Sequence, residues 1–403
     1  MFVPAVTNFT PFFNSEVKGS TPERIIMHFS SVISAYLCIL MEASALKKIV
    51  LTGGGTAGHV TPNLALIPRL LADGWEIHYI GAANSAEQTL ISQVPEVTFH
   101  AISVGKLRRY FDVKNFSDPF RVIKGVGQAR SIIHKLKPDV VFSKGGFVSV
   151  PVVYGAKLNG VPVVTHESDM TPGLANKLCL PFSKVQCCTF PEAVKYARGK
   201  GVHTGTPIRP EILKGSRAEG RRRFGFNENR PVLMVVGGSS GAQAINQVVW
   251  QSLSGLTENF QVLHLCGKGN LNSVYEGTSN YVQREYLNEE MADAYACADI
   301  LVSRAGSNAL CEILAVRKPA LLIPYPKGAS RGDQLLNAES FRARGFSHVL
   351  FQEDMTPKTL VEAVEKLYHD RGALYEAMAT EPTGNGIDSV LEQIYKYAKS
   401  KGV

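Results

Sequence analysis

A short apolar run followed by a glycine-rich turn constrains the fold of this chain more than any other stretch. The run is Ile49-Val50-Leu51 and the turn is Gly53-Gly54-Gly55-Thr56-Ala57-Gly58-His59, ahead of a helix-like segment that begins at Pro62. Glycines let the backbone come close to a ligand, and the free N–H groups of a helix N-terminus favour negative charge. This order therefore predicts a strand, a turn and a helix that together bind an anion.

The same turn also matches the G-x-G-x-x-G pattern of dinucleotide-binding proteins. Such a site needs an Asp or Glu at the end of the next strand, where the side chain binds the ribose. That strand is predicted at residues 75–80, and the segment that follows it, residues 81–84, is Gly-Ala-Ala-Asn. The missing acid argues against NAD, and the loop is predicted to face another phosphate-bearing ligand.

The opening unit recurs later in the chain. A buried strand is predicted at residues 232–236, and Gly237-Gly238-Ser239-Ser240-Gly241-Ala242 and a second helix follow it. Between the two units, short β-branched runs at 140–142 and 162–165 are separated by a helix-sized interval, which is typical of a parallel sheet. The repeat therefore predicts an α/β protein with two doubly wound domains that face one another across a cleft.

Composition narrows the classes of ligand. The chain has 403 residues and a formal net charge of +8, so it has room for two or three domains and favours anionic partners such as nucleotides, phosphates or acidic membranes. Nucleic acid is not expected, because no Lys and Arg run is interleaved with a reading motif. The seven cysteines form no C-x-x-C pair, so neither a disulfide framework nor a zinc site is indicated.

Residues 1–46 differ from the rest of the chain. Arg24 precedes an apolar run that ends at Leu40, and Ala43-Ser44-Ala45 resembles a signal-peptidase site. The run is shorter than the ~20 residues of a membrane-spanning helix. A cleaved signal peptide, an interfacial anchor and a disordered extension ahead of a domain beginning near Lys47 all remain open, and the extension is expected because the rest of the chain has an intracellular character.

Basic and aromatic residues alternate in one stretch of the first half. Its members are Arg108, Arg109, Tyr110, Phe111, Phe120 and Arg121. One interpretation is an amphipathic helix whose aromatic side chains lie in the core. The other is a surface that rests on anionic lipid, with aromatic rings at the interface and Lys and Arg beside the phosphates.

Six ordered motifs together resemble one family. They are GGGTAGH, HESDMTPGLANK, GTPIR, GGSSGAQAIN, SRAGSNALCEIL and ASRGDQLLNA. This set is similar to the MurG family, the peptidoglycan N-acetylglucosaminyltransferases that act on undecaprenyl-diphospho-N-acetylmuramoyl-pentapeptide. The similarity runs from about Lys47 to the C-terminus, so it covers nearly everything except the N-terminal extension.

The resemblance implies a GT-B fold, in which two doubly wound Rossmann-like domains face one another. It implies an acceptor-binding domain at 47–207, together with a C-terminal helix at 384–403, and a donor-binding domain at 208–383. The implied reaction is the inverting transfer of N-acetylglucosamine from UDP-N-acetylglucosamine to the 4-hydroxyl of the lipid-linked muramoyl-pentapeptide. It also implies a peripheral protein at the cytoplasmic face of the cell membrane. No metal or other cofactor is expected, in agreement with the lack of an Asp-x-Asp motif at a strand end.

The donor site is expected mainly in the second domain. Ser239, Ser240 and Gly241 open a helix, where backbone N–H groups can stabilise the departing UDP. By resemblance, Arg209 contacts the diphosphate, Glu312 accepts hydrogen bonds from the ribose and Gln334 binds the sugar. The resemblance also places UDP-N-acetylglucosamine near Thr56, Ala57, Gly58, Ser307, Asn308, Ala309 and Leu310.

At two positions of this donor site the sequence allows another role or assigns none. Asn308 lies near a predicted helix start and is also a competent helix cap. Asp333 precedes Gln334 where the family pattern has a pair of glutamines, so no role is carried over to it.

The general base is expected at the strand ends of the first domain. Candidates are His59, His166, Glu167 and Asp169, of which His59 directly follows the glycine loop and has a side chain suited to proton transfer near neutral pH. A structural hydrogen bond is the alternative for such a histidine. Asp169 replaces an Asn of the family pattern, which weakens its transfer to an acceptor role. Acceptor-side residues are expected at His166, Gly145, Gly146 and, by resemblance, Asn176.

Two other functions compete with the transferase. A UDP-N-acetylglucosamine 2-epimerase shares the two-domain architecture but needs no lipid surface, so the basic and aromatic stretch argues against it. A non-catalytic sugar-nucleotide-binding or membrane scaffold protein would show binding without turnover, and replacing His59 by alanine would leave its function unaffected.

Overall fold

A computed structural model describes residues 46–105, 118–238, 241–328, 332–381 and 386–399. The predicted N-terminal extension therefore lies, except for its last residue, outside the described residues. So do several predicted site residues, namely Arg108, Arg109, Tyr110, Phe111, Ser239 and Ser240.

The first half of the chain forms a seven-stranded sheet in the order β3-β2-β1-β4-β5-β6-β7. The pairings β2–β3, β1–β4, β4–β5, β5–β6 and β6–β7 are parallel. The strands are β1 Lys47–Thr52, β2 Trp75–Ala82, β3 Val97–Ile102, β4 Val140–Ser143, β5 Val163–Glu167, β6 Val185–Cys188 and β7 Gly201–His203. We call this sheet and its helices the N-terminal domain.

The second half forms a six-stranded sheet in the order β10-β9-β8-β11-β12-β13, again with parallel pairings. The strands are β8 Val232–Val236, β9 Gln261–Leu265, β10 Tyr281–Arg284, β11 Ile300–Ser303, β12 Ala320–Leu322 and β13 Ser347–Val349. This sheet with its helices is the C-terminal domain. Two doubly wound parallel sheets confirm the predicted α/β architecture.

Helices connect the strands and cover the faces of both sheets. In the N-terminal domain they are α1 Thr61–Ala72, α2 Ala86–Ile91, α3 Asp118–Leu136, α4 Ser149–Leu158 and α5 Leu174–Cys179. In the C-terminal half they are α6 Arg217–Phe224, α7 Gln243–Gln251, α8 Leu253–Asn259, α9 Met291–Cys297, α10 Ser307–Ala315, α11 Asp333–Ala343, α12 Pro357–Ala379 and α13 Gly386–Tyr397. Short 3-10 turns lie at Ala57–His59, Leu180–Phe182, Pro191–Ala197, Pro210–Leu213, Ser273–Tyr275 and Gln352–Asp354.

The central strands are apolar on both faces because helices cover both faces of each sheet. In β1, Ile49, Val50 and Leu51 are all fully buried. Leu51 packs on the side of α1, whereas Val50 packs on the side of α3 and α4. Burying a side chain of this size contributes about 1.5–3 kcal/mol, so these strands anchor the loops that follow them.

The C-terminal helix α13 returns to the N-terminal domain. Its apolar stripe of Ile387, Val390, Leu391 and Ile394 is buried in the same core as β1 and β4. A second contact between the domains involves Phe190, which follows β6. Its ring packs edge-on against Phe341, with ring centroids 6.4 Å apart, inside the core of the C-terminal domain.

The structure differs from the sequence prediction at strand ends and edges. Strand β5 runs to Glu167, so His166 and Glu167 lie inside the sheet, paired with Cys187 and Cys188, and not in the loop beyond it. Edge strands β3, β7, β10 and β13 were not predicted. Polar and half-exposed residues dominate several of them, as in Gly201–His203, and they carry little of the apolar pattern that indicates a strand.

Candidate active site

Both sheets reverse their strand order at one point, and glycine-rich loops lie there. The reversal falls between β1 and β4 in the first sheet and between β8 and β11 in the second. Parallel α/β folds bind ligands in the crevice at this switch point, beyond the carboxyl ends of the strands. The loops that leave these four strands, which begin at residues 53, 144, 237 and 304, are therefore the candidate site.

The first glycine loop and the loop after β4 pack against each other with no room for side chains. Gly146 has a φ of +81°, and a Cβ at this position would lie 2.2 Å from the carbonyl oxygen of Gly54. At Gly145, with a φ of +91°, a Cβ would lie 3.1 Å from the Asn176 amide. The two predicted acceptor-side glycines thus allow the close approach of these loops.

Glu87 holds the first loop from behind, and the sequence did not point to it. Its carboxylate is buried and accepts hydrogen bonds from the backbone N–H groups of Gly55, at 3.3 Å, and Ala82, at 3.2 Å. A Cβ on Gly54 would lie only 2.6 Å from this carboxylate. The conformation of the loop therefore depends on glycine at position 54 and on the buried carboxylate of Glu87 that packs against it.

His59 ends the 3-10 turn that follows the first loop. Its Nδ1 lies 2.9 Å from the hydroxyl of Thr56, and its side chain is half-buried. Next to it, the carbonyl oxygen of Gly58 accepts a hydrogen bond of 2.8 Å from the side-chain amide of Asn308. The loop that carries Thr56, Ala57, Gly58 and His59 therefore touches the donor-side helix α10, and His59 lies at the boundary between the two domains.

His166 is fully buried, and both of its ring nitrogens have partners. Its Nδ1 lies 3.0 Å from Nζ of Lys144, and its Nε2 lies 2.9 Å from the carbonyl oxygen of Gly205. Burial and the nearby Lys144 charge lower the pKa of His166 well below the usual range, so the ring is neutral. With both nitrogens engaged, the structure favours a positioning role for His166 over a role as base.

Glu167 fixes the backbone that follows β5. Its buried carboxylate accepts hydrogen bonds from Asn176 Nδ2 at 2.8 Å and from the N–H groups of Asp169 and Gly173, both at 3.1 Å. Asn176 also donates to the carbonyl oxygen of His166 at 3.0 Å. Burial raises the pKa of Glu167, which these hydrogen bonds oppose. The predicted pair Glu167 and Asn176 therefore forms a clamp on this loop.

Asp169 and its neighbours contact the C-terminal domain directly. Asn337 donates to Asp169 Oδ1 at 3.4 Å and accepts from the N–H of Met170 at 3.4 Å, while Thr171 donates to Asp333 Oδ1 at 3.1 Å. We call these five residues the clasp. The clasp gives Asp333 a structural partner across the cleft, which the sequence did not reveal.

The second glycine loop leads into α7. Gly241 has a φ of +76°, and a Cβ there would lie 2.0 Å from the carbonyl oxygen of Cys266, so only glycine fits. The same carbonyl accepts a hydrogen bond of 2.8 Å from Asn246 of α7, whose Oδ1 lies 3.1 Å from Nε2 of the buried His264. These contacts fix the start of α7 at the edge of the crevice.

Helix α10 begins at the other switch-point loop. Its cap residue is Gly306, and Asn308 lies in the first turn with its amide on Gly58, so the cap interpretation of Asn308 is wrong. Of the other predicted residues here, Leu310 is fully buried in the core and Ser307 is almost fully buried, while Ala309 is half-buried. The side chains of Ser307 and Leu310 are therefore withdrawn from the surface of the crevice.

Glu312 lies one turn further along α10 in a mostly enclosed setting. Its Oε2 accepts a hydrogen bond of 3.1 Å from the hydroxyl of the buried Tyr295. Burial raises the pKa of Glu312, whereas the positive charge of Arg209 and the Tyr295 hydrogen bond lower it. Protein atoms surround the carboxyl group of Glu312 closely. Part of the residue nevertheless remains exposed, so the carboxylate can accept further hydrogen bonds.

Gln334 stands at the start of α11, close to the cap of α10. Its Oε1 accepts a hydrogen bond of 3.2 Å from the N–H of Tyr325. Its Nε2 is the nearest atom to a Cβ built on Gly306, at 3.9 Å. The side chain is half-buried, and its amide N–H groups lie beside the helix start where the donor is expected.

A cleft of about 580 Å³ opens beside Arg209 between the two domains. Thr89 and Gln93 line it from the N-terminal domain, and Tyr286 and Met291 from the C-terminal domain. Nε of Arg209 is buried without a hydrogen-bond partner among the described residues. This N–H group is therefore an unused hydrogen-bond donor at the boundary.

The described part of the basic and aromatic stretch is exposed. Phe120 is 74% exposed, and Arg121 beside it is exposed as well, so the interpretation of Phe120 as a core residue is wrong. Ile123 of the same helix is 68% exposed. Among the described residues, no helix combines the length and apolar character that crossing a membrane requires.

Two doubly wound parallel sheets with paired switch-point loops have the architecture of the GT-B class of glycosyltransferases, and comparison with known proteins agrees. Residues 49–185 match the glycosyltransferase family 28 N-terminal domain, and residues 232–394 match the family 28 C-terminal domain. The chain belongs to glycosyltransferase family 28.

One curated relative and two solved structures show which members of this family and fold the chain is similar to. An enzyme of Clostridium botulinum (strain Loch Maree / Type A3), named UDP-N-acetylglucosamine--N-acetylmuramyl-(pentapeptide) pyrophosphoryl-undecaprenol N-acetylglucosamine transferase, is 51% identical over 88% of this chain and 100% of its own length. Among solved structures, Acinetobacter baumannii MurG shares the fold with a TM-score of 0.68, at 24% identity over 87% of this chain and 99% of its own. A UDP-N-acetylglucosamine 2-epimerase structure from Listeria monocytogenes, described as putative, has a TM-score of 0.61 at 10% identity, over 87% of this chain and 95% of its own.

Proposed function

We propose that this chain transfers N-acetylglucosamine from UDP-N-acetylglucosamine to the 4-hydroxyl of lipid-linked N-acetylmuramoyl-pentapeptide in peptidoglycan synthesis. The observation that carries the proposal is the 51% identity to an enzyme of that name along its whole length. The contact between Gly58 and Asn308 supports it, because it brings an acceptor-side loop against a donor-side helix. A transferase needs both substrates at one such boundary.

The donor is held mainly by the C-terminal domain. Its diphosphate lies at the start of α7, which the tight fit of Gly241 against the Cys266 carbonyl holds in place, and Arg209 supplies a fixed positive charge. Glu312 accepts hydrogen bonds from the ribose, and Gln334 donates to the sugar. Helix N-termini and a guanidinium stabilise the charge that develops on departing UDP, so the proposal includes no metal at the diphosphate.

The acceptor is held by the N-terminal domain. Gly145, Gly146 and the first glycine loop receive its diphosphate, and His59 takes the proton from its 4-hydroxyl. As that oxygen bonds to the anomeric carbon from the side opposite UDP, the bond to the phosphate oxygen breaks and the link formed is β-1,4. In the tautomer where Nδ1–H donates to Thr56, the lone pair of His59 is on Nε2, as a base requires.

A transfer assay tests this function. We expect UDP release only when UDP-N-acetylglucosamine and a lipid-linked muramoyl-peptide analogue are both present, with the disaccharide as product. The rate is expected to stay within about twofold in excess EDTA, because charge on the diphosphate is met by backbone N–H groups and Arg209. UDP release without acceptor would instead support the epimerase, and donor binding without turnover would support a binding protein.

We also propose that the N-terminal domain binds an anionic membrane peripherally at the cytoplasmic face, through the stretch from Arg108 to Arg121. The 74% exposure of Phe120 beside the exposed Arg121 supports it. Replacing Arg108, Arg109 and Arg121 by Gln together should weaken binding to phosphatidylglycerol-containing vesicles about 100-fold, since each basic residue near such a surface contributes about 1 kcal/mol. Co-sedimentation with vesicles measures it.

The matched control removes the same charge elsewhere. Arg222, Arg284 and Arg342 are exposed on the C-terminal domain, and replacing all three by Gln should change vesicle binding less than about threefold. Equal loss in both triple variants would mean that net charge alone, and not this surface, attracts the membrane. Unchanged binding in the first variant would contradict the proposed surface.

A further inference from the structure

Lys144 is a buried lysine at the candidate site to which the mechanism above gives no part. It follows β4 directly, ahead of the two acceptor-side glycines, and its side chain is 1% exposed. Its ammonium group donates to the hydroxyl of Ser168 and to Nδ1 of His166, the latter at 3.0 Å. A lysine this deeply buried is rare unless its charge has a specific use.

The charges that face Lys144 come from several elements. Glu167 at the end of β5 and Asp169 in the loop that follows stabilise the ammonium form, and the neutral His166 of β5 accepts its hydrogen bond. The thiols of Cys187 in β6 and Cys311 in α10 also face it. Burial lowers the pKa of Lys144 to about 8, and the two acids oppose that change. Cys311 belongs to the C-terminal domain, so Lys144 lies at the boundary between the domains.

The two partners of Lys144 lead to the two places that join the domains. Through His166, whose Nε2–H donates to Gly205 at 2.9 Å, it reaches the turn that connects the sheets. Through Ser168 it reaches the clasp, which begins at the next residue, Asp169. One ammonium group therefore ties the connecting turn to the segment that contacts α11.

We propose that Lys144 is a positioning residue for the transfer reaction, because it holds residues 166–171 in the conformation that closes the clasp on Asp333 and Asn337. The inference rests on the proposed transferase function, since a closed clasp brings the donor domain against the acceptor. In the neutral amine form, Lys144 keeps fewer N–H donors and no charge to balance Glu167 and Asp169. The segment is then free to leave the clasp.

Lys144→Met tests this inference with the full chain, the donor and the lipid-linked acceptor analogue. We expect kcat to fall about 10-fold while the KM for UDP-N-acetylglucosamine changes less than about threefold, because the donor site itself keeps its contacts. Hydrogen exchange of the 168–173 backbone should rise, while exchange of β8 stays the same. Lys157→Met, at an exposed lysine of α4, is the matched control and should leave all three quantities unchanged.

The pH dependence separates positioning from a merely structural role. The kcat of the parent chain should fall as pH rises above about 8, where Lys144 loses its proton, and this limb should be absent in Lys144→Met. Because the pKa of Lys144 is lower in the folded chain than in the unfolded chain, the unfolded chain binds more protons above pH 8. The melting temperature of the parent minus that of the variant should therefore increase between pH 7 and about pH 9.5.

The outcomes are distinguishable. No transfer by the parent chain would overturn the proposed function itself. Transfer by the parent together with an unchanged kcat and unchanged exchange at 168–173 in Lys144→Met would overturn the role of Lys144 alone. If Lys144→Met does not fold, Ser168→Ala keeps the charge and removes one of its partners. It should raise exchange at 168–173 and lower kcat about threefold, and an unchanged result there would equally reject the proposal.

Discussion

Replacing His59 by alanine should lower kcat by about 10²–10⁴, the usual contribution of a general base. The 4-hydroxyl of the acceptor is a weak nucleophile until its proton is removed, and His59 is the predicted base whose ring is not enclosed by the sheet. The KM for the donor should change less than about threefold, because His59 acts on the acceptor hydroxyl. Single-turnover transfer with saturating donor measures the effect.

Thr56 sharpens this prediction, because it selects the tautomer of His59. Its hydroxyl lies 2.9 Å from Nδ1. Thr56→Val should lower kcat about 10-fold, since Nδ1–H loses its acceptor and the lone pair on Nε2 is less populated, while Thr56→Ser should keep at least about half the activity. His369→Ala is the control, at a side chain that is 88% exposed on α12. Full activity in His59→Ala would show that another residue is the general base.

The sequence predicted the switch-point loops well because their chemistry is local. A glycine-rich turn between an apolar strand and a helix is visible in consecutive residues, and β1, α1, β8 and α7 all lie where this pattern indicates. The tight fit at Gly146 and Gly241 explains why glycine is needed there. Glu87, by contrast, supports the first loop from a short helix more than thirty residues away in sequence. No local pattern connects the two.

The polar residues after β4 and β5 show the opposite case. From the sequence, Gly145, Gly146 and His166 are predicted on the acceptor side, and His166 and Glu167 are candidate bases. The structure buries Lys144, His166 and Glu167 instead, because β5 continues to Glu167 and the Lys144 ammonium turns inward to His166 and Ser168. Charged side chains give no apolar periodicity, so a sequence cannot show that they pair with one another inside a sheet.

The clasp could not have been predicted for a related reason. Asp169 and Thr171 meet Asn337 and Asp333 across more than 160 residues of sequence. Each side chain is by itself an ordinary polar residue in a loop or at a helix start. Only the two folded domains together give them partners. Asp333 replaces a glutamine of the family pattern, and its carboxylate accepts the hydrogen bond from Thr171.

Arg209 is the other residue whose replacement should have a large effect. Arg209→Met removes the fixed positive charge beside the donor diphosphate, so kcat should fall about 10²–10³ and the KM for UDP-N-acetylglucosamine should rise about 10-fold. Arg209→Lys should recover part of kcat, because it keeps the charge without the planar pair of donors. Arg284→Met, at an exposed arginine of β10, should behave like the parent chain.

The pH profile of Arg209→Met tests the same electrostatics through Glu312. Burial raises the pKa of Glu312 and Arg209 lowers it, so removing Arg209 raises that pKa further. Glu312 must be ionised to accept both ribose hydroxyls, and donor binding is therefore lost as pH falls through its pKa. We expect this acid loss to begin at a higher pH in Arg209→Met than in the parent chain, and to be absent in Glu312→Gln. Isothermal titration with UDP from pH 5 to pH 8 measures it. Parallel profiles in the parent and Arg209→Met would show that the Arg209 charge does not act on Glu312.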